Sequence, residues 1–231
     1  RFDLREEADL VEEVARLEGY DNIPSRSPVG RLEPGLLDPD SLCERAARKL
    51  LAKQGYSEAI TYSFISTDKS EEFSDEGQLL KLVNPISNEM EIMRPSILPG
   101  LLDVSIYNLN RQHNTVQVYE IGRVYRSSSE GVVEEKFLAG IRCGLSTDSS
   151  WISGRRELDF YDIKHDVEVL LAELGLTEVT FKANSPKGFH PTRTAEIYVG
   201  SDLKGFVGAL SPTLLDAIGI EKRVYAFEIS I

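Results

Sequence analysis

The sequence predicts an α+β fold, an antiparallel sheet with a few long helices on one face. Two observations carry this. Segments of alternating apolar and polar residues recur in neighbouring pairs joined by short turns, the mark of hairpins rather than of strand–helix–strand crossovers. Among them stand stretches with apolar residues at helical spacing, and glycine closes several of these.

Residues 1–24 open with a helix in which Leu10, Val14 and Leu17 stack at i, i+4 and i+7. Gly19 ends it, and Asp21-Asn22-Ile23-Pro24 turns the chain away. Residues 25–40, with several prolines and glycines and little periodicity, read as a linker and a domain boundary. The main domain, 41–231, begins in a helix capped by Asp38 with Pro39 at its first position. Leu42, Ala46, Ala47, Leu50 and Leu51 continue that helix to Gly55. A strand is predicted at 60–64, a solvated acidic excursion over 67–78 and a short strand at 79–83. The Asn84-Pro85 turn leads to a helix carrying Leu102, Ile106 and Leu109.

Strand 116–125 and return strand 137–145 form a hairpin around Ser127-Ser128-Ser129-Glu130-Gly131, with Phe137, Ala139, Ile141, Cys143 and Leu145 on one face. Ile163, Val167, Leu170, Leu171 and Leu174 define a helix over 161–174 that Gly175 stops. Strands at 179–181, 195–199 and 205–210, a short helix from Ser211-Pro212 to Ile218 and a closing strand at 224–231 complete the domain.

The bulk numbers bound the function. A chain of 231 residues, 41% hydrophobic, can bury one large core or two smaller ones. It begins at Arg1 rather than a methionine, which reads as a piece of a longer protein. Acidic residues outnumber basic ones 38 to 26, a formal charge of −12, which argues against unspecific nucleic-acid binding. No apolar run approaches the roughly 20 residues that cross a bilayer, and no secretory signal is visible. Cys43 and Cys143 stand far apart in sequence, so a reducing cytoplasm is the expected location.

Two constellations carry candidate chemistry. Asp9, Glu12 and Glu13 share a narrow arc of the first helix, and Asp3 precedes them. Oxygen ligands of this kind suit Mg²⁺ or Ca²⁺; the same residues also read as a solvated helix face favoured by the helix dipole. Arg94, Arg123 and Arg126 lie around a helix start and the hairpin. Guanidinium forks with helix N–H groups suit an anion such as phosphate, and isolated strand-end arginines also serve as ion-pair partners. His113, His165 and His190 show no zinc spacing. His190-Pro191-Thr192-Arg193 reads as a loop that contacts a ligand or satisfies itself. Phosphate-loop, dinucleotide and nucleophile-elbow motifs are missing from the sequence.

Several segments together resemble the β subunit of bacterial phenylalanyl-tRNA synthetases. RFDLREEADLVEEVARLEGYDNIP looks like the end of that family's small winged-helix-like domain. GYSEAITYSFIS, NPISNEMEIMRPSILPGLL, YNLNRQ, YEIGRVYR, FYDIKHDVEVLL, FHPTRTAEIYVG, GFVGALSP and KRVYAFEI follow its catalytic-like core in order. The resemblance implies a class II aminoacyl-tRNA synthetase-like antiparallel sheet flanked by helices. It also implies a non-catalytic core that supports an α subunit in an (αβ)₂ heterotetramer, where ATP, phenylalanine and tRNA(Phe) are handled by the whole assembly.

Within that resemblance, residues 122–126 are similar to a class II signature strand whose arginine reaches the ATP α-phosphate. The return strand from Phe137 lacks the partner glutamate, and no glycine-rich segment with a helix-starting arginine follows. The resemblance further implies a Mg²⁺ site shared with the α subunit, on a D-x₅-D-x₂-E-E arrangement that falls on Asp3, Asp9, Glu12 and Glu13. A free-standing ATP-dependent ligase using Arg94, Arg123 and Arg126 is the alternative. A nucleic-acid-binding module built on the winged-helix-like remnant is a third reading, opposed by the acidic balance.

Overall fold

A computed structural model describes residues 2–31, 35–74, 76–129, 131–146 and 156–231. Arg1, residues 32–34 of the expected linker, residue 75 of the acidic excursion and Glu130 of the hairpin loop lie outside them. The chain divides into two compact units, Arg1–Leu36 and Leu37–Ile231.

The first unit is one helix, α1 (Glu7–Glu18), with a short 3₁₀ turn behind it. Glu6 and Asp9 form its capping box, and Gly19 ends it at φ +87°. The Leu10–Val14–Leu17 stripe is present, yet no residue of α1 is buried. A segment this short has too little apolar surface to close a core by itself.

The second unit opens with α2 (Pro39–Lys53), where Asp38 accepts the Ser41 amide at 2.9 Å. Next come β1 (Ser57–Glu58), β2 (Phe64–Ile65), α3 (Thr67–Glu71), β3 (Leu80–Lys81), β4 (Ile92–Met93) and α4 (Leu98–Leu109). The hairpin strands are β5 (Val116–Ser128) and β6 (Gly131–Cys143). α5 (Phe160–Glu173), β7 (Val179–Ala183), β8 (Phe189–Val199), β9 (Asp202–Leu210), α6 (Pro212–Ala217) and β10 (Val224–Ser230) follow. The main sheet runs β1-β5-β6-β10-β9-β8-β7; only the short β1–β5 pair is parallel, and β2-β4-β3 form a small second sheet.

The helices cover both faces of the sheet rather than one. Alternation decides the side for each residue. Leu98, Leu101 and Leu102 of α4 pack with Val116, Val118, Ala139, Ile141 and Ala226. On the other face, Leu51 of α2 and Ile163, Val167 and Leu170 of α5 pack with Leu138, Val207 and Phe227. With both faces buried, β10 is an almost unbroken buried strand and not an alternating one. Among the described residues no helix is long and apolar enough to cross a membrane, and Cys43 and Cys143 are both free thiols.

Three expectations are corrected. Residues 60–64 do alternate, but the polar set points inward and only Phe64 joins a strand. Thr61 Oγ1 donates to Glu120 at 2.7 Å and the Ser63 carbonyl accepts the Arg94 amide, whereas Ile60 is 92% and Tyr62 72% exposed. The acidic excursion contains α3, whose Ser70 is fully buried and donates to the Thr67 carbonyl. Finally, β6 starts at Gly131, well before Phe137, and carries two glutamates into the hairpin.

Candidate functional site at the hairpin

Strand parity separates the three arginines. On β5, Val116, Val118 and Val124 face the α4 side, and Glu120, Gly122 and Arg126 share their parity. Tyr119 and Ile121 face the α2–α5 side, and Arg123 goes with them. The sheet therefore places Arg94 and Arg126 on one face and Arg123 on the other.

Arg94 follows β4 and is buried, with only 4% of its side chain exposed. Its Nη1 donates to Glu120 Oε1 at 2.7 Å and to Thr61 Oγ1 at 3.0 Å, and its Nε donates to the Arg123 carbonyl at 2.9 Å. A side chain on Gly122 would collide with Nη2, so the glycine is what lets the guanidinium lie flat on the strand. The Arg94 amide bonds Ser63, and its carbonyl accepts the Tyr125 amide at 2.9 Å. This residue thus ties the small sheet to the hairpin through main chain and side chain together.

The other two arginines reach glutamates of β6. Arg126 Nη1 lies 3.2 Å from Glu135 Oε2, with its guanidinium 5.6 Å from the centre of the Phe137 ring. Arg123 Nη1 lies 2.6 Å from Glu134 Oε1 on the opposite face. Beyond it a chain of ion pairs crosses to α2: Lys136–Glu44, Glu44–Arg48 and Arg48–Glu58.

The start of α4, where free N–H groups were expected to favour an anion, already holds a carboxylate. Glu228 of β10 is buried and accepts the Ile97 amide at 2.7 Å and the Ser96 hydroxyl at 3.0 Å. Ser96 Oγ in turn accepts the Leu98 amide. Burial pushes the Glu228 carboxyl above its ordinary value, against the pull of these donors and of Arg126 and Arg94. A second buried network ties α5 to the sheet: Asp166 accepts from Arg142 at 2.7 Å and from the Tyr56 hydroxyl at 2.8 Å. Burial, aided by the Asp166 charge, raises the Tyr56 phenol well above its ordinary range.

On α1, Asp9 Oδ2 accepts the amides of Arg5 and Glu6 at 2.8 and 2.9 Å, and these bonds lower its pKa. Glu13 pairs with Arg16 at 2.6 Å. Among the described residues no three or more histidine, cysteine or carboxylate side chains gather closely enough to hold a metal ion. Asp3, Asp9, Glu12 and Glu13 are therefore not drawn into one cluster by this chain alone.

Glu120, Glu228, Thr61 and Asp166 were not singled out by sequence reasoning. One signal was available for the first two: a lone carboxylate inside an otherwise apolar strand, Val-Tyr-Glu-Ile-Gly and Ala-Phe-Glu-Ile. Such a charge must be paired or bonded when the strand is buried on both faces.

The fold is that of a tRNA synthetase. It superposes on a pyrrolysyl tRNA synthetase from Desulfitobacterium hafniense with a TM-score of 0.65 over 96% of this chain and 70% of that one, at 14% identity. The family model for the phenylalanyl tRNA synthetase beta chain CLM domain matches residues 23–231, and the chain belongs to that family. It is 42% identical to a phenylalanine–tRNA ligase beta subunit from Pseudomonas syringae over 99% of this chain and 29% of the relative. Similar subunits from Pseudoalteromonas translucida and Methylococcus capsulatus are 38% and 36% identical, over 100% and 99% of this chain and 30% and 29% of theirs. The chain spans about three tenths of the length of the curated relatives it matches.

A pH test follows for Glu228. Its carboxyl keeps a proton in the folded state where the unfolded chain has lost it, so its contribution to stability declines as pH rises above the ordinary value of 4.5. Gln at this position keeps an acceptor for Ile97 and removes the titration. The melting temperature of Glu228→Gln is expected to gain on the parent as pH rises above 4.5 and to level off once the folded-state carboxyl has ionised. Parallel curves across that range would contradict the assignment.

Proposed function

We propose that this chain is the non-catalytic core of a phenylalanine–tRNA ligase β subunit, with the class II synthetase-like arrangement of sheet and helices. It supports an α subunit in an (αβ)₂ heterotetramer that attaches phenylalanine to tRNA(Phe) with ATP. Residues 1–24 belong to the end of a winged-helix-like domain, 25–40 link it, and 41–231 form the core. The location is cytoplasmic.

The observation that carries this reading is the occupation of the hairpin by its own charges. Adenylate formation needs cations held open for a phosphate and aimed at charge that develops in the transition state. Here Arg94, Arg123 and Arg126 each meet a glutamate, and Glu228 takes the Ile97 amide and the Ser96 hydroxyl at the head of α4. An arginine already matched to a buried carboxylate cannot be turned to ATP without stranding that carboxylate. For Arg94 this opposes the free-standing ligase, whereas the Arg123 and Arg126 pairs are solvent-exposed and open at little cost.

The test uses the full-length subunit and its complex. Phenylalanine-dependent ATP–pyrophosphate exchange is expected only when the α subunit is present. Arg123→Ala with Arg126→Ala should leave the exchange rate within about threefold, where loss of a group stabilising the transition state would cost about a hundredfold or more. Exchange by the β subunit alone, or a hundredfold loss, would refute the reading.

Asp3, Asp9, Glu12 and Glu13 suit Mg²⁺ by donor type, and the lowered pKa of Asp9 keeps it ionised. Because these carboxylates do not converge among the described residues, we assign them one half of a site that the α subunit completes. Bound there, the ion would neutralise the acidic helix face and hold the two chains together. Mg²⁺ titration should give tighter binding in the complex than in the separate β subunit, and Glu12→Ala should weaken only the former. Equal affinity in both states would exclude a shared site.

A further inference from the structure

A cleft of about 520 Å³ opens between the first turn of α5, the bulged start of β8 and the beginning of β10, away from the hairpin. Its walls carry Phe160, Tyr161, Phe181, Lys164, Arg193 and Arg223. The segment His190-Pro191-Thr192-Arg193, expected as a loop, belongs to β8 but slips register against β9 between Phe189 and Thr194. The bulge is held from within: the Thr192 amide donates to His190 Nδ1 at 3.2 Å and Thr194 Oγ1 to the His190 carbonyl at 2.9 Å. Bulges of this kind re-aim a side chain out of the ladder. Arg193, within this irregular stretch, is exposed and shares the cleft with the exposed Arg223.

Charge at this cleft is less compensated than at the ion-paired arginines of the sheet and helices. Elsewhere Arg48, Arg94, Arg123, Arg126, Arg142 and Arg156 each pair with a carboxylate. For Arg193 and Arg223 no carboxylate stands at ion-pair distance among the described residues. The one acid on the cleft wall, Asp159, is engaged: it accepts the Tyr161 and Asp162 amides and faces Arg156 at 3.5 Å. Lys164 is matched by Glu168 and lies over the Phe181 ring, 4.4 Å from its centre. A local positive charge therefore survives on a chain whose net charge is −12.

The same wall offers flat apolar surface. Tyr161 is 74% exposed, and its ring meets Phe160 edge-on with 5.6 Å between centres. Uncompensated guanidinium groups beside an exposed aromatic ring match a phosphodiester with an unstacked base: charge binds the backbone and the ring takes the base face. A duplex buries its base faces and cannot use the ring. A phosphorylated peptide would use the arginines but has no call on the aromatic wall.

We propose that this cleft binds an unpaired RNA segment, with Arg193 and Arg223 on the phosphates and a base on Tyr161. The inference stands on α5, β8 and β10 and does not depend on the reading of the hairpin.

Photo-crosslinking tests it on the full-length protein with a single-stranded oligoribonucleotide carrying 4-thiouridine, the adducts being mapped by peptide mass spectrometry. Adducts are expected on the peptide bearing Phe160 and Tyr161. Unlabelled single strands should compete, while duplex RNA and uridine monophosphate at equal phosphate should not. Arg193→Ala with Arg223→Ala should lower the yield about tenfold at roughly 0.1 M salt, and the double lysine variant should retain most of it. Tyr161→Ala should weaken binding about fivefold or more without changing the salt dependence. All these side chains are exposed, and matched melting temperatures verify the fold.

Adducts confined to other peptides, or a yield that survives the alanine pair, would overturn the proposal. Equal competition by duplex would remove the base contact. Equal competition by the mononucleotide would give the cleft to a free nucleotide, and stronger competition by a phosphopeptide would give it to a protein partner. Each of these three results rejects an unpaired RNA segment as the ligand.

Discussion

The buried pair of Arg94 and Glu120 is the interaction on which the rest of this domain is arranged. Both side chains are almost wholly removed from water, 4% and 3% exposed. Taking two ions out of water costs several kcal/mol each, and their attraction repays this only when the remaining donors and acceptors are matched. The structure supplies that matching from three elements: Thr61 bridges both partners, the Arg123 carbonyl takes Nε, and Gly122 makes room for the rest of the fork. The pair therefore fixes the small sheet, the segment before β2 and the hairpin in one geometry.

That constraint also limits what the domain can do. A synthetase sheet handles a nucleotide by presenting cations that are pre-placed yet open. In this chain Arg94 and the head of α4 are satisfied by buried carboxylates, while Arg123 and Arg126 meet exposed glutamates of β6. Glu228 is the clearest instance, since the amide at the head of α4 is already taken by a side chain of the neighbouring strand. What remains is a sheet with helices packed on both of its faces.

Much of this was legible in the sequence, and the parts that were not have physical causes. Helices α2 and α5 were placed within a residue or two because their apolar stripes, proline and glycine boundaries agree. The β5–β6 hairpin was legible from its alternation, yet its length was not: the apolar pattern that marks the return strand begins at Phe137, and residues 131–135 of β6 are exposed. Residues 60–64 misled because the strand rule assumes that apolar side chains point inward, whereas the buried ion pair demands the polar set. Arg123 and Arg126 are close in sequence but three apart on one strand, which puts them on opposite faces. Pairings such as Arg94 with Glu120 or Ser96 with Glu228 join distant segments, and no local pattern announces them.

A double-mutant cycle on Arg94 and Glu120, read by chemical denaturation, tests the central claim most directly. Arg94→Met alone and Glu120→Leu alone should each cost about 3–5 kcal/mol, because either leaves an uncompensated buried charge. The pair of substitutions together should recover most of that loss, giving a coupling well above 1 kcal/mol. Single variants as stable as the parent, or losses that simply add, would show that the pair does not organise the domain.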